Sequence, residues 1–395
     1  MVRDPGFPVF DADNHLYEPP VALLEHLPAA YDGAVEFVQV RGRTRIALNG
    51  RITDYMPNPT FERVAAPGVH ADFYRGTNAA GLTRREMTGR AIDCPPAFRE
   101  PAPRLALLDE QGIAQALVYP TLANLVEMSA SDDPDLVHAI VHSLNQWLHE
   151  VWTFDYRDRL FAVPVITLAI VENAIAELDW VLARGARAIL IRPAPVKGLR
   201  GSRSFALAEF DPFWARVQEA GVGVAVHATY SIFNDYLELW EPQRSANAFV
   251  SSPFKEWAIA HRDVEDTFAA LICHGTLSRF PNLRVASVEN GAEWVPHLLA
   301  GLSKIYRQMP QEFAEHPVDV FHRNVWVNPF WENDVKETID VVGADRVIFG
   351  SDYPHPEGMA EPLAYLDELA GFDPALQQRV MRDNALAFLG APTTA

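Results

Sequence analysis

Residues 8–20 of the chain read PVFDADNHLYEPP, an apolar strand pattern that runs directly into acidic and imidazole side chains. Successive side chains of a strand point to opposite faces, so Asp11, Asp13 and His15 are expected on the same side. These three residues place oxygen and nitrogen donors close together. The segment predicts a strand whose carboxyl end carries side chains able to bind a metal or to take part in catalysis.

Seven further segments are rich in Val, Ile, Ala or Phe, as strands buried on both faces are. With the first, the predicted strands are 8–13, 115–120, 161–167, 187–192, 223–228, 284–290, 325–329 and 346–352. Amphipathic helical patterns lie between them at 134–153, 171–184, 210–220, 262–280, 292–308 and 332–342, and a closing helix follows at 374–389. Eight strand–helix units favour a closed (β/α)8 TIM barrel of the α/β class over an open doubly wound sheet.

The connection between the first two strands is far longer than an ordinary crossover. Within it, TRIALNGRITDYM (44–56) predicts a hairpin that turns at Asn49 and Gly50. We expect one domain over residues 1–395, in which residues 16–100 form an inserted lid over the C-terminal mouth. Some of residues 50–80 are then expected beside the substrate cavity, because loops that follow barrel strands emerge on that face.

Composition restricts the partners and the compartment. The chain has 395 residues and a formal net charge of −19, which disfavours nucleic acid and anionic membranes as partners. No apolar stretch has the length of a membrane span, and the first residues lack the apolar core of a signal peptide, so we expect a cytoplasmic protein. The two cysteines, Cys94 and Cys273, do not predict a disulfide framework. Composition leaves homo-oligomer formation open.

Four predicted strands end in residues that bind metals. His227 ends the fifth strand, Glu289 the sixth and Asp352 the eighth, and all converge with the first strand at the C-terminal face of a barrel. The predicted ligands are Asp13, His15, Glu18, His227, Glu289 and Asp352, and the predicted catalytic residues are Glu289, His274 and His355. Asp11 is expected to hydrogen-bond a metal-bound histidine without contacting the ion. Carboxylates mixed with imidazoles suit Fe or Mn.

Aromatic residues are concentrated after the fifth strand. Residues 228–260 contain Tyr230, Phe233, Tyr236, Trp240, Phe249, Phe254 and Trp257, which indicate either an apolar substrate wall or ordinary loop packing. The residues predicted to contact substrate are Tyr230, Phe233, Trp240 and Arg192, the last at the end of the fourth strand. A second cluster, Arg41, Arg43, Arg45 and Arg51, is either the solvated face of the hairpin or a handle for an anionic substrate tail.

Four motifs together resemble the amidohydrolase superfamily of metal-dependent enzymes over nearly the whole chain. They are DADNHLYEP (11–19), VAVH (224–227), SRFPNLRVASVENGAEWVPHLL (278–299) and FGSDYPH (349–355). The most similar branch is the amidohydrolase-related group that includes aminocarboxymuconate semialdehyde decarboxylase and γ-resorcylate decarboxylase. The resemblance implies a (β/α)8 barrel and a divalent metal held by a His-x-His pair, a histidine on strand five and an aspartate on strand eight.

Carried over by position, His15 matches the second histidine of the pair, His227 the strand-five histidine and Asp352 the strand-eight aspartate. Asp13 stands where the family has the first histidine. Glu289 stands where the decarboxylases have a histidine credited with acid–base work. Arg192 stands on strand four, where other amidohydrolases have a carbamylated lysine that bridges two metals. This chain therefore has neither the acid–base histidine of the decarboxylases nor the carbamylated lysine of other amidohydrolases at the matching positions.

Two functions follow from this site. Glu18 and Glu289 make the chain resemble a sub-branch that contains non-haem dinuclear iron monooxygenases, which would use O2 and an electron donor to hydroxylate a largely apolar, natural-product-like small molecule. In this hypothesis Glu289 is a metal ligand. The alternative is a mononuclear Zn- or Mn-dependent hydrolase or decarboxylase of a carboxylate or cyclic substrate, in which Glu289 acts as the general base. A non-catalytic binding protein is disfavoured, because the set of ligands at the strand ends is too complete.

Overall fold

The computed structural model describes residues 4–53, 55–242, 250–331 and 334–391. Within these ranges the strands are β1 (Phe10–Leu16), β2 (Val35–Val40), β3 (Arg43–Leu48), β4 (Arg51–Thr53), β5 (Arg63–Val64), β6 (Ile92–Asp93), β7 (Gln115–Pro120), β8 (Leu160–Ala162), β9 (Ala188–Ile191), β10 (Val196–Gly198), β11 (Gly201–Arg203), β12 (Gly223–His227), β13 (Val285–Val288) and β14 (Val325–Val327).

Eight parallel segments close into a barrel. Seven of them form two hydrogen-bonded runs, β1-β7-β8 and β9-β12-β13-β14. Residues 347–353 supply the eighth, and single bridges complete the ring at Val165–Leu190, Val327–Val347 and Asn14–Tyr353. The barrel strands are buried almost throughout, as expected for strands covered on both faces. The predicted TIM barrel is confirmed, and each of the eight predicted segments contributes a barrel strand.

Helices surround the barrel and fill its connections. They are α1 (Val21–Leu24), α2 (Ala71–Tyr74), α3 (Arg84–Thr88), α4 (Pro101–Gln111), α5 (Ala123–Ser129), α6 (Pro134–Trp152), α7 (Val171–Leu182), α8 (Asp211–Ala220), α9 (Asn234–Trp240), α10 (Pro253–Ile259), α11 (Arg262–Cys273), α12 (Thr276–Arg279), α13 (Trp294–Gln308), α14 (Pro317–Asn324), α15 (Val335–Val342), α16 (Pro374–Gln378) and α17 (Asn384–Phe388). Among the described residues, none of the helices combines the length and apolar character needed to cross a membrane.

Some helix bounds differ from the prediction for local reasons. The helix expected over 262–280 is interrupted between α11 and α12, where Gly275 adopts a φ of +73° that ends a helix readily. Residues 332 and 333 of the helix expected over 332–342 lie outside the described residues, and α15 begins at Val335. The closing helix contains a π-helical turn over Arg379–Asp383.

The long connection after β1 contains the predicted hairpin and an additional strand. β3 pairs with β4 antiparallel, and Asn49 and Gly50 take φ angles of +49° and +73° at the turn, so the hairpin is confirmed. β2, which the sequence analysis did not predict, pairs with the other edge of β3. Farther along, the backbone N–H groups of Gly68 and His70 donate to the carbonyls of His355 and Pro356 at 3.1 and 2.7 Å. This part of the connection therefore lies beside the carboxyl end of the eighth barrel segment.

Candidate metal centre

Four barrel strands bring nitrogen and oxygen donors to one point at their carboxyl ends. His15 Nε2 lies 3.1 Å from His227 Nε2 and 3.4 Å from Asp352 Oδ1. The same nitrogen lies 3.4 Å from Asp13 Oδ1 and 3.7 Å from Glu289 Oε2. Two ligands bound at about 2.1 Å and at a right angle are separated by about 3.0 Å, and wider angles give longer separations. Each of these distances from His15 Nε2 is therefore one that two ligands of the same ion can have, and the described donors form two overlapping groups that share His15.

The carboxylates of Asp13 and Asp352 require a cation. Both side chains are fully buried. Within the described part of the chain, none of their four carboxylate oxygens accepts a hydrogen bond of good geometry, although His355 Nδ1 lies 2.7 Å from Asp352 Oδ1 and His15 Nε2 lies 3.4 Å from Asp13 Oδ1. Burial raises the pKa of Asp352 well above its ordinary value, and Glu289 and Asp13 raise it further by like-charge repulsion. A divalent ion among these oxygens would remove the cost of buried, unpaired charge. The residues present thus fit a bound metal.

The histidine tautomer also fits a metal ligand. His227 Nδ1 lies 2.9 Å from the carbonyl oxygen of Ala228, which can accept its N–H. A neutral imidazole that donates through Nδ1 keeps the lone pair of Nε2 for an ion. That Nε2 is the atom facing His15 and Asp13.

A β-bulge in β1 helps to place the first two donors. Asp11 pairs with Ala116, but Asn14 pairs with Val118, so β1 contains one residue more than β7 over this stretch. Asp13 and His15 belong to one group of possible ligands, whereas Asp11 belongs to neither group found among the described residues. The sequence argument from strict alternation put all three on one side and did not anticipate this bulge.

Asp11 instead joins β1 to the last barrel segment. It accepts hydrogen bonds from the Ser351 backbone N–H at 2.9 Å and from Ser351 Oγ at 2.6 Å. It also accepts one from Asn14 Nδ2 at 3.0 Å. Asp11 therefore holds the residue before Asp352 close to the strand that carries Asp13. The hydrogen bonds of Asp11 to other described residues do not include one to a histidine, so the predicted bond to a metal-bound histidine stays a prediction.

Arg104, which the sequence analysis did not single out, supports the same strand. Its guanidinium is fully buried and donates to the carbonyl of His15 at 2.7 Å and to Asn14 Oδ1. A third bond, at 2.6 Å, goes from Nε to the carbonyl of Ala97. Arginine is ordinarily surface-exposed, so the sequence offered no signal for this role.

Glu289 and Asp352 occupy strained backbone positions. Their φ angles are +56° and +54°, in the left-handed region that residues with a side chain rarely adopt. Such strain is found most often at functional sites, where surrounding structure holds it in place. In this protein the left-handed backbone of Glu289 and Asp352 directs both carboxylates towards the donor cluster.

A cavity of about 210 Å³ lies next to the cluster. Glu289 lines it and retains 16% of its side-chain exposure, whereas the side chains of Asp13, His15, His227 and Asp352 are exposed by 1% or less. Tyr55, Tyr74 and Arg84 of the long first connection form part of the same wall. Sequence patterns did not identify Tyr74 or Arg84, because their positions depend on how an irregular segment folds back over the barrel.

His355 forms part of a second, overlapping group of donors with His15, Glu289 and Asp352. Its Nδ1 approaches Asp352 Oδ1 to 2.7 Å, and its ring stacks on that of His15 with centroids 3.9 Å apart. Its Nε2 lies 3.0 Å from Thr121 Oγ1. The structure therefore brings the predicted catalytic His355 to the centre.

Glu18 lies close to the chain segment that carries Thr121. Its Oε1 accepts a hydrogen bond from the backbone N–H of Leu122 at 2.8 Å. Burial raises the pKa of Glu18 to about 7. Glu18 belongs to neither donor group found among the described residues, so its predicted role as a ligand remains a prediction.

The third predicted catalytic residue, His274, is exposed and follows the last residue of α11. Crossover helices run antiparallel to the barrel strands, so their last residues lie towards the end opposite the catalytic face. His274 belongs to neither donor group found among the described residues, and its predicted catalytic role stays a prediction.

The predicted substrate wall is only partly assembled. The Tyr230 ring packs on that of Tyr55 with centroids 4.7 Å apart, and its carbonyl accepts a 2.9 Å bond from buried Arg192. Phe233 lies under the guanidinium of Arg262. Trp240 is 63% exposed and does not line the cavity. Phe249 lies outside the described residues.

Comparisons with known proteins add to this geometry. Residues 10–391 match a family model described as amidohydrolase. A crystal structure of an amidohydrolase from Mycobacterium avium subsp. paratuberculosis K-10 is 36% identical, with a TM-score of 0.92, and the match covers 97% of this chain and 99% of the other.

More distant relatives have named activities. A 2-amino-3-carboxymuconate-6-semialdehyde decarboxylase from Dictyostelium discoideum is 23% identical over 187 residues, which cover 45% of this chain and about half, 48%, of that relative. A dihydroxybenzoic acid decarboxylase from Polaromonas sp. JS666, solved with bound manganese and an inhibitor, is 16% identical with a TM-score of 0.59, over 85% of this chain and 96% of the other. At 16% identity, the similarity to the Polaromonas enzyme shows a shared fold alone.

Proposed function

Because this chain belongs to the amidohydrolase family, we propose that it decarboxylates a small organic acid at a single divalent metal ion. Its general class is that of a metal-dependent enzyme of the amidohydrolase superfamily. The observation that carries the proposal is the position of Glu289. This carboxylate borders the donor cluster on one side and the cavity on the other.

Four deeply buried donors would hold the ion, namely Asp13, His15, His227 and Asp352. Their mixture of two carboxylates and two imidazoles suits Mn²⁺ or Zn²⁺. Manganese is present in the dihydroxybenzoic acid decarboxylase that shares the fold. When bound, the ion supplies positive charge that stabilises the negative charge developing on a substrate oxygen.

Glu289 would exchange a proton with the reacting carbon. As the bond to the carboxyl carbon breaks, CO2 leaves and the electron pair stays on the substrate carbon. Glu289 then supplies the proton of the new C–H bond, and water restores it through the cavity. Tyr55 and Tyr230, in contact with each other, would shield one side of the substrate from water. Arg192, buried behind Tyr230, donates to the carbonyl of that residue and helps to position it, and its predicted contact with substrate stays a prediction.

The experiment is direct measurement of CO2 release. Protein reconstituted with Mn²⁺ or Zn²⁺ is incubated with a panel of carboxyl-labelled aromatic and unsaturated acids, and labelled CO2 is detected by mass spectrometry. Release that depends on the added metal is the expected result. Hydrolysis of esters or amides without CO2 release from any acid would contradict decarboxylation and favour a hydrolase.

A dinuclear iron monooxygenase is the second candidate, favoured by one observation. The donors form two groups that share His15, and the second group adds His355 to Glu289 and Asp352. Three carboxylates could neutralise and bridge two divalent ions. Two irons per chain, together with substrate-dependent O2 consumption when an electron donor is added, would support this candidate over the first.

A further inference from the structure

Asn328 is a buried amide at the carboxyl end of the seventh barrel strand. It follows Val327, the last residue of β14, and is fully buried. The backbone N–H of Glu289 donates to Asn328 Oδ1 at 3.3 Å. Glu289 has a φ of +56° and lies beside the donor cluster. The amide therefore contacts the backbone of the residue proposed to transfer the proton.

The partners of Asn328 fix the orientation of its amide. Nδ2 donates to the carbonyl of Pro329 at 3.1 Å and to that of Ile348 at 3.3 Å. Both of these carbonyls can only accept, whereas the backbone N–H of Glu289 can only donate, so the oxygen and nitrogen of the amide cannot be exchanged. An aspartate would lack the two donors, and a leucine would lack all three bonds.

Asn328 also joins three neighbouring barrel strands. Its backbone N–H donates at 2.9 Å to the carbonyl of Ser287, two residues before Glu289. Its Nδ2 reaches Ile348 in the eighth barrel segment, which carries Asp352. One residue thus connects the sixth and eighth strands to the seventh at the end where the candidate metal ligands lie.

Gly350 permits close packing around this amide. A methyl group at this glycine would overlap Asp13 Cβ and would lie 2.9 Å from Asn328 Nδ2, closer than side-chain atoms approach one another. Asp13 and Asn328 therefore lie against the same glycine of the eighth segment. The amide that contacts Glu289 is thus packed into the same layer as one of the proposed metal ligands.

We propose that Asn328 is a positioning residue for Glu289, because its Oδ1 holds the Glu289 backbone in the left-handed region and so keeps the carboxylate between the donor cluster and the cavity. This region is unfavourable for a residue with a side chain, so the backbone is expected to relax once the acceptor is lost. Relaxation would move Glu289 Oε2 from its place 3.5 Å from His227 Nε2. The catalytic consequence rests on the proposed function, in which Glu289 supplies the proton.

Turnover and metal content of two alanine variants test this. Asn328→Ala is expected to lower kcat for Mn²⁺-dependent CO2 release by about 10- to 100-fold, the usual effect of losing a partner that orients an active group, with KM and the Mn²⁺ content per chain unchanged. Asn324→Ala is the matched control. Asn324 is equally buried at the opposite end of β14, and its Nδ2 donates to the carbonyls of Pro281 and Leu283 at 3.0 and 2.7 Å. This control should lose stability and keep the wild-type kcat.

A double-variant cycle shows whether Asn328 acts through Glu289. If it does, Asn328→Ala combined with Glu289→Gln is no slower than Glu289→Gln alone, because the positioned group has already been lost. An unchanged kcat in Asn328→Ala, or a double variant slowed further by the full factor of Asn328→Ala, would overturn the inference. If urea unfolding shows that Asn328→Ala is unfolded, Asn328→Ser is measured against the same outcomes, since serine is too short to reach the Glu289 N–H from this position.

Crystal structures separate this inference from the proposed function. In Asn328→Ala the φ angle of Glu289 is expected to become negative and its carboxylate to leave the donor cluster, whichever reaction the enzyme catalyses. A Glu289 that keeps its φ angle and position in the folded variant would overturn the positioning role, even in a protein that releases CO2. A relaxed Glu289 in a protein that releases no CO2 would retain the positioning role and reject the decarboxylase.

Discussion

Asp352 and Glu18 show how differently two buried carboxylates can be accommodated. Both oxygens of Asp352 lack hydrogen-bond partners among the described residues, and it lies beside two further acidic side chains. Glu18 has the backbone N–H of Leu122 as a partner for one oxygen. The first arrangement, in which several carboxylates are crowded together, suits a divalent cation, whereas the second is satisfied by a proton on the free oxygen.

Glu18→Gln is expected to remove a pH dependence of stability in the metal-free protein. Burial raises the pKa of Glu18 from 4.5 to about 7. The folded state therefore binds this proton more tightly than the unfolded state, and its contribution to the free energy of unfolding is lost as the pH rises from about 4.5 to about 7. The contribution is on the order of 3 kcal/mol.

Urea unfolding at about pH 5 and about pH 7.5 measures this difference. The wild type should lose more stability than Glu18→Gln over the interval. Glu25→Gln, at an exposed glutamate beside α1, serves as the control and should follow the wild type. A Glu18→Gln variant with the same pH dependence as the wild type would show that Glu18 is ionised in the folded protein.

At the scale of elements, β1 is the strand on which the site depends. Its bulge, its bonds through Asp11 to Ser351 and the buried Arg104 act together on the residues around His15. Arg104 comes from α4, at the end of the long first connection. The long first connection thus contacts the residues around His15 through Arg104 of α4, and another part of it lines the cavity.

Arg104→Met is expected to weaken Mn²⁺ binding about 10- to 100-fold, because it removes the donors that hold the His15 carbonyl and Asn14. Arg159→Met is the matched control. Arg159 also donates to carbonyls, those of Ala114 and Ile113 at 2.7 and 3.0 Å, but at the opposite end of the neighbouring strand β7.

Isothermal titration with Mn²⁺ and urea unfolding are measured on both variants. Both should lose stability, and only Arg104→Met should lose metal affinity beyond that loss. Equal metal affinity in the two variants would mean that Arg104 is an ordinary structural residue.

Sequence patterns predicted the barrel strands well, because each is a short apolar run, and several of them end where donors begin, as in VAVH and RVIFGSD. The donors themselves followed from the same pattern, since strand ends of a barrel meet at one face. The bulge in β1 and the positive φ angles of Glu289 and Asp352 did not follow, because they depend on neighbouring strands. The position of His274 after α11 did not follow either, because the motif LICHG was considered apart from its helix.

For the whole molecule, the barrel supplies rigid strand ends and the long first connection supplies much of the cavity wall. Tyr55, Tyr74 and Arg84 come from that connection, and irregular segments have no periodicity from which such contacts could be predicted. That residues 16–100 form a lid over the mouth within one domain remains a prediction, and homo-oligomer formation stays open.

Metal removal is expected to lower the stability of the entire fold, since the proposed ligands come from β1, β12 and the eighth barrel segment. Mn²⁺ at 100 times its Kd should raise the free energy of unfolding by about 2.7 kcal/mol relative to the metal-free protein. Chemical unfolding with and without a chelator measures it. A free energy of unfolding that does not change with Mn²⁺ concentration would argue against a site preformed in the native fold.

The central claim is that one ion is held by Asp13, His15, His227 and Asp352 while Glu289 transfers the proton. Metal content per chain in Glu289→Gln, determined by mass spectrometry on folded protein together with its rate of CO2 release, tests this most directly. The account predicts one divalent ion per chain in both the wild type and the variant, with turnover reduced by about 10²- to 10⁴-fold in the variant. Loss of the ion from folded Glu289→Gln would contradict it and make Glu289 a ligand.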